Sequence, residues 1–139
     1  MYEMVLRCPA NAEAIEFCDL FIDSLSSFFA VLDRPALVLS VHEAIINSIE
    51  AVRKLCREHD DNTLTLFVRV GKEEVTIFVS DSANSLPVQA IENRRTKQLE
   101  DVLLEESGRG LLLMRELMDD IWVEPLENGT YALGMKMRR

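Results

Sequence analysis

Aromatic residues make up only 6% of the 139 residues. A core therefore has to be filled by Leu, Ile, Val and Met. Cysteines are few: Cys8, Cys18 and Cys56 are scattered and odd in number. That spacing excludes a zinc cluster and a disulfide framework, and it fits small buried thiols. An excess of basic charge is also missing, since the formal net charge is -9. A phosphate backbone is held mainly by clustered Lys and Arg, so this balance argues against direct binding of nucleic acid; it is compatible with a basic protein partner. No uninterrupted apolar run approaches the ~18 residues that read as a membrane span, and the N-terminus lacks a basic start followed by an apolar stretch. The expectation is a cytoplasmic protein without membrane attachment, folded as one domain over residues 1–139.

What remains is patterned. Tyr2 to Cys8 reads as a short strand broken by Pro9 and Asn11. From Ala12 to Leu32 apolar residues recur at three and four, which predicts a helix with a broad apolar face. Asp33, Arg34 and Pro35 form a break, and Pro35 suits the first turn of a second helix running to about Arg57. "TLTLFVRV" and "EVTIFVSD", joined through Gly71 and Lys72, predict a hairpin. The pattern then fails over 82–107, a length typical of a lid, a binding loop or a disordered stretch; part of it has helical character, and it carries Arg94, Arg95, Thr96 and Lys97. A helix is expected from Gly108 to about Asp120. A second hairpin, "IWVEPL" with "TYALGMKM", should turn at Glu127, Asn128 and Gly129. The order β, α, α, β, β, loop, α, β, β predicts an α+β fold: a two-layer sandwich with a mixed, mostly antiparallel sheet and helices on one face.

Three features can carry chemistry, and each has a plainer reading. Glu43 and Asn47 share a face of the second helix; the carboxylate can accept a proton from a hydroxyl and the amide oxygen can ligate Mg²⁺, or the pair is a solvated stripe with Ser40 and Lys54. Asp81 ends a strand in "IFVSD" and can accept a hydrogen bond from a ligand amine or start a turn. Gly108 and Gly110 stand at a helix start, where unpaired N–H groups and the macrodipole favour an anion; alternatively Ser107 caps the helix and Gly108 ends the loop. His42 and His59 have no nucleophile or metal spacing around them and read as ordinary residues.

The order of these pieces is more specific than any one of them. "HEAIINS", a strand ending in "VSD", a variable stretch and "SGRGLLLMRELMDD" together resemble the GHKL ATPases, the superfamily with the Bergerat ATP-binding fold, and within it the anti-sigma factor serine/threonine-protein kinases. The likeness covers nearly the whole chain. It makes Glu43 the catalytic base, Asn47 the Mg²⁺ ligand and Asp81 the acceptor of the adenine amino group. It lays Gly108 and Gly110 against the phosphates with Arg109 between them. The stretch 82–107 becomes a lid, with Arg94, Arg95, Thr96 or Lys97 reaching the terminal phosphate. ATP and Mg²⁺ are the implied cofactors. A sigma factor and a STAS-domain anti-anti-sigma protein are the implied partners, and a homodimer is the implied assembly. No dimerisation and phosphoacceptor helix of a sensor histidine kinase stands before the first box.

The chain departs from the family pattern after Asp81. Ala83 and Ser85 occupy positions where relatives often carry glycine. If position 83 needs a positive φ, its methyl group costs roughly 1 kcal/mol. That departure supports an alternative, a sequestering module of the same fold with weak nucleotide binding and no turnover.

Overall fold

The computed structural model describes residues 1–55, 62–83 and 109–139. Five strands and three helices follow the order β1 (Tyr2–Pro9), α1 (Ala12–Phe28), α2 (Arg34–Leu55), β2 (Thr63–Val70), β3 (Glu74–Asp81), α3 (Arg109–Leu117), β4 (Asp120–Pro125) and β5 (Tyr131–Arg138). The strands form one sheet in the order β1-β2-β3-β5-β4. All four pairings are antiparallel. A mixed sheet was expected; among the described residues no strand runs parallel to a neighbour, because the chain returns from α2 beside β1 in the opposite direction.

Strand alternation sorts the side chains. Leu64, Leu66, Val68 and Val70 of β2 and Val75, Ile77 and Val79 of β3 are buried on one face. They meet Leu37, Val41, Ile45 and Ile49 of α2, Cys18, Ile22 and Leu25 of α1, and Leu111 and Met114 of α3. The result is two layers, α on β, with one apolar core between them. Over an 18-residue window α2 reaches a mean hydropathy of 1.2, the one helix among the described residues long and apolar enough to cross a membrane. Here that apolarity goes into the core.

The first helix starts as read and stops early. Asn11 caps it, accepting the Ala14 N–H at 3.0 Å. It ends at Phe28, short of Leu32, because Ala30 takes φ 52. The Val31 N–H then reaches the Ser26 carbonyl and the Ala30 N–H the Ser27 carbonyl, the two bonds of a Schellman ending. Sequence periodicity missed this stop because the left-handed position holds alanine, where glycine is the usual signal. Ala30→Gly is therefore expected to raise stability by about 1 kcal/mol, read as a higher urea midpoint at constant slope; an unchanged or lower midpoint would contradict strain at Ala30.

Asp33 opens α2 by accepting the Ala36 N–H at 3.2 Å, with Pro35 in the first turn. The last hairpin turns where expected: the Leu126 N–H bonds the Thr130 carbonyl at 2.8 Å, and Gly129 supplies φ 80. The third helix runs Arg109–Leu117, shorter than the expected Gly108 to Asp120, since Asp120 already belongs to β4.

Candidate functional site

Helix α2 places Glu43 and Asn47 one turn apart on the side that meets α3. Both are half-buried. Gly110, in the first turn of α3, lies directly against them. A Cβ built on Gly110 would stand 3.0 Å from Glu43 Oε2, 3.1 Å from Asn47 Nδ2 and 3.6 Å from Asn47 Oδ1. Residues more than sixty positions apart thus converge on one point. A side chain at position 110 would crowd these two polar groups, so glycine keeps a gap open between α2 and α3.

Asn47 Nδ2 is buried and makes no hydrogen bond among the described residues. A buried amide nitrogen left unpaired costs about 1–3 kcal/mol, so such an atom marks a place where a ligand or water belongs. An amide flip exchanges Nδ2 and Oδ1 in the same space. Ser40 lies on the same side of α2 and is fully buried with an unpaired hydroxyl. A solvated stripe through Ser40 is therefore corrected: only Lys54 of that set is exposed. The burial of Ser40 is a matter of tertiary packing, which the helical spacing of α2 does not show.

Asp81 is the last residue of β3 and is 8% exposed. It shares the helix-facing side with Val75, Ile77 and Val79, so a carboxylate ends an apolar row. The strand end is held in place by Ser82, whose N–H donates to the Thr63 carbonyl at 2.9 Å and whose Oγ accepts the Thr63 N–H at 2.8 Å. The chain turns at Ser82 and Ala83, and the Asp81 side chain is buried at the strand end.

Ala83 does not sit in the left-handed region. Among the described residues Ala30 is the one non-glycine residue with positive φ. The strain anticipated for a methyl group at position 83 is absent. Ala83→Gly is accordingly expected to lower stability by about 0.4–1 kcal/mol, because glycine loosens the unfolded chain without relieving any strain; a rise in the denaturation midpoint would show that the backbone there does want glycine.

Gly108, Arg94, Arg95, Thr96, Lys97 and His59 lie outside the described residues, as does the side chain of Arg109; the backbone of Arg109 begins α3. His42 faces α1, where its Nδ1 meets the Asp19 carboxylate at 2.9 Å, and Arg34 forks onto Asp23 with two bonds of 2.7 Å. These pairs clamp α1 to α2 away from Glu43. The Arg34 guanidinium holds the Asp23 carboxyl below its usual range. Burial, then the neighbouring Cys8 thiol, pushes Cys18 up to about 12. This fits the reading of the described cysteines as inert packing groups.

A concavity of about 790 Å³ opens on the helix-free face of the sheet, among Arg7, Thr65, Phe78, Ser80 and Glu124, and reaches Asp81 at the end of β3. Glu43, Asn47 and Gly110 do not line it. The convergence of unpaired amide, carboxylate and glycine gap places the candidate site in the helix layer.

The model of the histidine kinase-like ATPase domain matches residues 10–135. This chain belongs to that family. It is similar to the serine-protein kinase RsbW of Staphylococcus aureus strains bovine RF122 / ET3-1, MRSA252 and Newman, being 23% identical over 123 residues, which cover 85% of this chain and 76% of each relative. Membership rests on the family match, and the distant kinases indicate ATP-dependent chemistry at the level of the family.

Proposed function

We propose that this histidine kinase-like ATPase domain is a cytoplasmic regulatory kinase that transfers the terminal phosphate of ATP to a serine or threonine of a STAS-type anti-anti-sigma protein. In its other state it would bind and silence a sigma factor. The observation that supports this reading best is the meeting of Glu43, Asn47 and Gly110 at one gap. Homology to serine-protein kinases and the order of the boxes add to it.

The residues fit the cofactors. Asn47 offers a buried amide with an unmet hydrogen-bonding atom, whose oxygen would take one position on Mg²⁺. The gap at Gly110 admits an anion beside the first N–H groups of α3. Asp81 would accept the adenine amino group, and the Gly108–Arg109–Gly110 turn would follow the phosphates. When bound, Mg²⁺ would neutralise phosphate charge.

Glu43 is assigned the proton. As the hydroxyl oxygen of the acceptor bonds to the terminal phosphorus, the bond to the ADP oxygen breaks, and the hydroxyl proton passes to the Glu43 carboxylate. Residues 82–107 are assigned the lid, with Arg94, Arg95, Thr96 or Lys97 toward the terminal phosphate. The protein is proposed to act as a homodimer. Ala83 was the reason to favour a module without turnover, and its ordinary φ weakens that reason.

The test is phosphoryl transfer to a co-encoded STAS protein with ATP and Mg²⁺, read by intact mass. One added phosphate on a serine or threonine supports the reading. Stable complex formation with no added phosphate would replace it with the sequestering module.

A further inference from the structure

We propose that the concavity on the helix-free face of the sheet is a docking trough for an extended segment of a partner protein. The segment carries an acidic residue at the β1 end of the trough, apolar residues in the middle and a basic residue at the β4 end. The inference goes beyond the kinase reading and does not depend on it.

An antiparallel sheet with one free face is ordinarily polar on that face. Here the strand registers sort large and small side chains into separate rows. Val5, Phe67, Phe78 and Trp122 stand in one transverse row, with Gly134 of β5 between the last two. The row beside it reads Arg7, Thr65, Ser80, Ala132 and Glu124. Arg7 pairs with Thr65, Thr65 with Ser80 and Glu124 with Ala132; Ser80 stands one step past the Val79–Leu133 pair. The small side chains in the middle of this second row make a floor below the rings. The turn from β4 to β5, at Leu126 to Thr130, closes the far side. The concavity of about 790 Å³ is thus a trough that crosses the strands.

The wall of rings is held in one arrangement. The Phe67 and Phe78 centroids are 6.1 Å apart, and Phe78 meets Trp122 edge-on at 5.7 Å. The Trp122 indole lies over β5, which requires glycine at 134, since a Cβ there would come within 2.5 Å of the ring. Glu124 Oε2 accepts the indole N–H at 2.9 Å and fixes the ring. The Arg69 guanidinium sits 5.1 and 5.7 Å from the Phe67 and Phe78 centroids. Aromatic and arginine side chains are the groups that most often carry the binding energy of protein surfaces.

Charge decides the occupant. Among the described residues Arg7 makes no ion pair. It has a long contact of 3.4 Å, from Nε to Thr65 Oγ1, which draws it along the floor. At the other end Glu124 and Glu127 also form no ion pair among the described residues. Other cations on the sheet are matched: Arg69 meets Glu3 at 3.5 Å and Arg138 meets Asp119 at 3.6 Å. The trough is therefore positive at β1 and negative at β4. Strands about 4.8 Å apart put its ends roughly 19 Å from each other, a span of about six residues of extended chain at ~3.3 Å each. A segment with opposite charges at its ends satisfies both. A polyanion would meet Glu124 and Glu127 with like charge. Of the groups assigned above to nucleotide, Asp81 reaches this trough, while Glu43, Asn47 and Gly110 do not line it.

A phage-displayed library of random heptapeptides, panned on the full chain and counter-panned on Thr65→Tyr, tests this. Tyrosine suits a strand and fills the floor. Enriched peptides should carry an acid near one end, a base near the other and apolar residues between. A synthesised member should bind wild type at about tens of micromolar by calorimetry and change the emission of Trp122, the one tryptophan of the chain. Arg7→Glu should weaken that peptide by about tenfold or more, and exchanging the acidic residue of the peptide for lysine should restore binding to Arg7→Glu. Thermal melts report the folding of both variants. ATP binding is measured separately, so this pattern in a chain that binds no ATP would overturn the nucleotide reading alone. The trough is overturned if no peptide is enriched, if wild type and Thr65→Tyr enrich peptides equally, if Arg7→Glu leaves affinity unchanged, or if ATP displaces the peptide.

Discussion

Glu43→Gln should lower phosphoryl transfer by about 100-fold or more while leaving ATP affinity within about threefold of wild type. The substitution keeps the volume and one oxygen of the side chain but removes its ability to take a proton. The position is well fixed: Ala44 and Ile45, next along α2, are buried at 3% and 0% exposure, so the helix cannot easily rotate to offer another group. Oε2 already lies at the α3 start, 3.0 Å from where a Gly110 Cβ would stand. Single-turnover transfer at saturating ATP separates chemistry from binding. A variant that transfers at the wild-type rate would remove Glu43 from the role of base and leave positioning and charge as the whole of catalysis.

Gly110→Val should weaken ATP binding by about fivefold or more, measured by calorimetry. Its first added carbon already falls at 3.0 and 3.1 Å from Glu43 and Asn47, tighter than ordinary contact. Those neighbours are side-chain ends, so alanine is accommodated by a small shift. The branched side chain of valine needs the rest of the gap and forces both polar groups aside. Overpacking of this kind costs about 1–3 kcal/mol, which in binding is roughly fivefold to more than a hundredfold. Gly110→Ala should fall between wild type and valine. Wild-type affinity in Gly110→Val would mean that nucleotide does not use the gap between α2 and α3.

Both predictions concern a convergence that the sequence announces only through the order of its boxes. Glu43 and Asn47 share a helical face by spacing alone, and the inward turn of Asp81 follows from strand alternation with Val75, Ile77 and Val79. The contact of Gly110 with the first two is tertiary. It depends on how α3 crosses α2, which no local pattern encodes. Likewise Ser40 read as a surface residue and proved fully buried, and a methyl group at position 83 read as strain where the backbone is ordinary.

The fold was legible to different depths. Both hairpins and the α1 cap follow from turn and cap chemistry: Gly129 at φ 80 and Asn11 on the Ala14 N–H. The early stop of α1 was hidden because Ala30 fills a position where glycine would have given the signal. The direction of β1 was also hidden, since a first strand separated by two helices from its partner can pair either way; its register with β2 made the sheet antiparallel throughout. Another packing detail with no local sign is Gly134, whose missing side chain leaves room for the Trp122 ring, which a Cβ would approach to 2.5 Å.

The central claim is a nucleotide site between α2, α3 and the end of β3. It is tested most directly by titrating ATP into the wild type and Asp81→Asn by calorimetry, with and without Mg²⁺. Micromolar binding that needs Mg²⁺ and is lost in Asp81→Asn is the predicted result. No heat of binding at millimolar ATP, or equal binding by the two proteins, would contradict it.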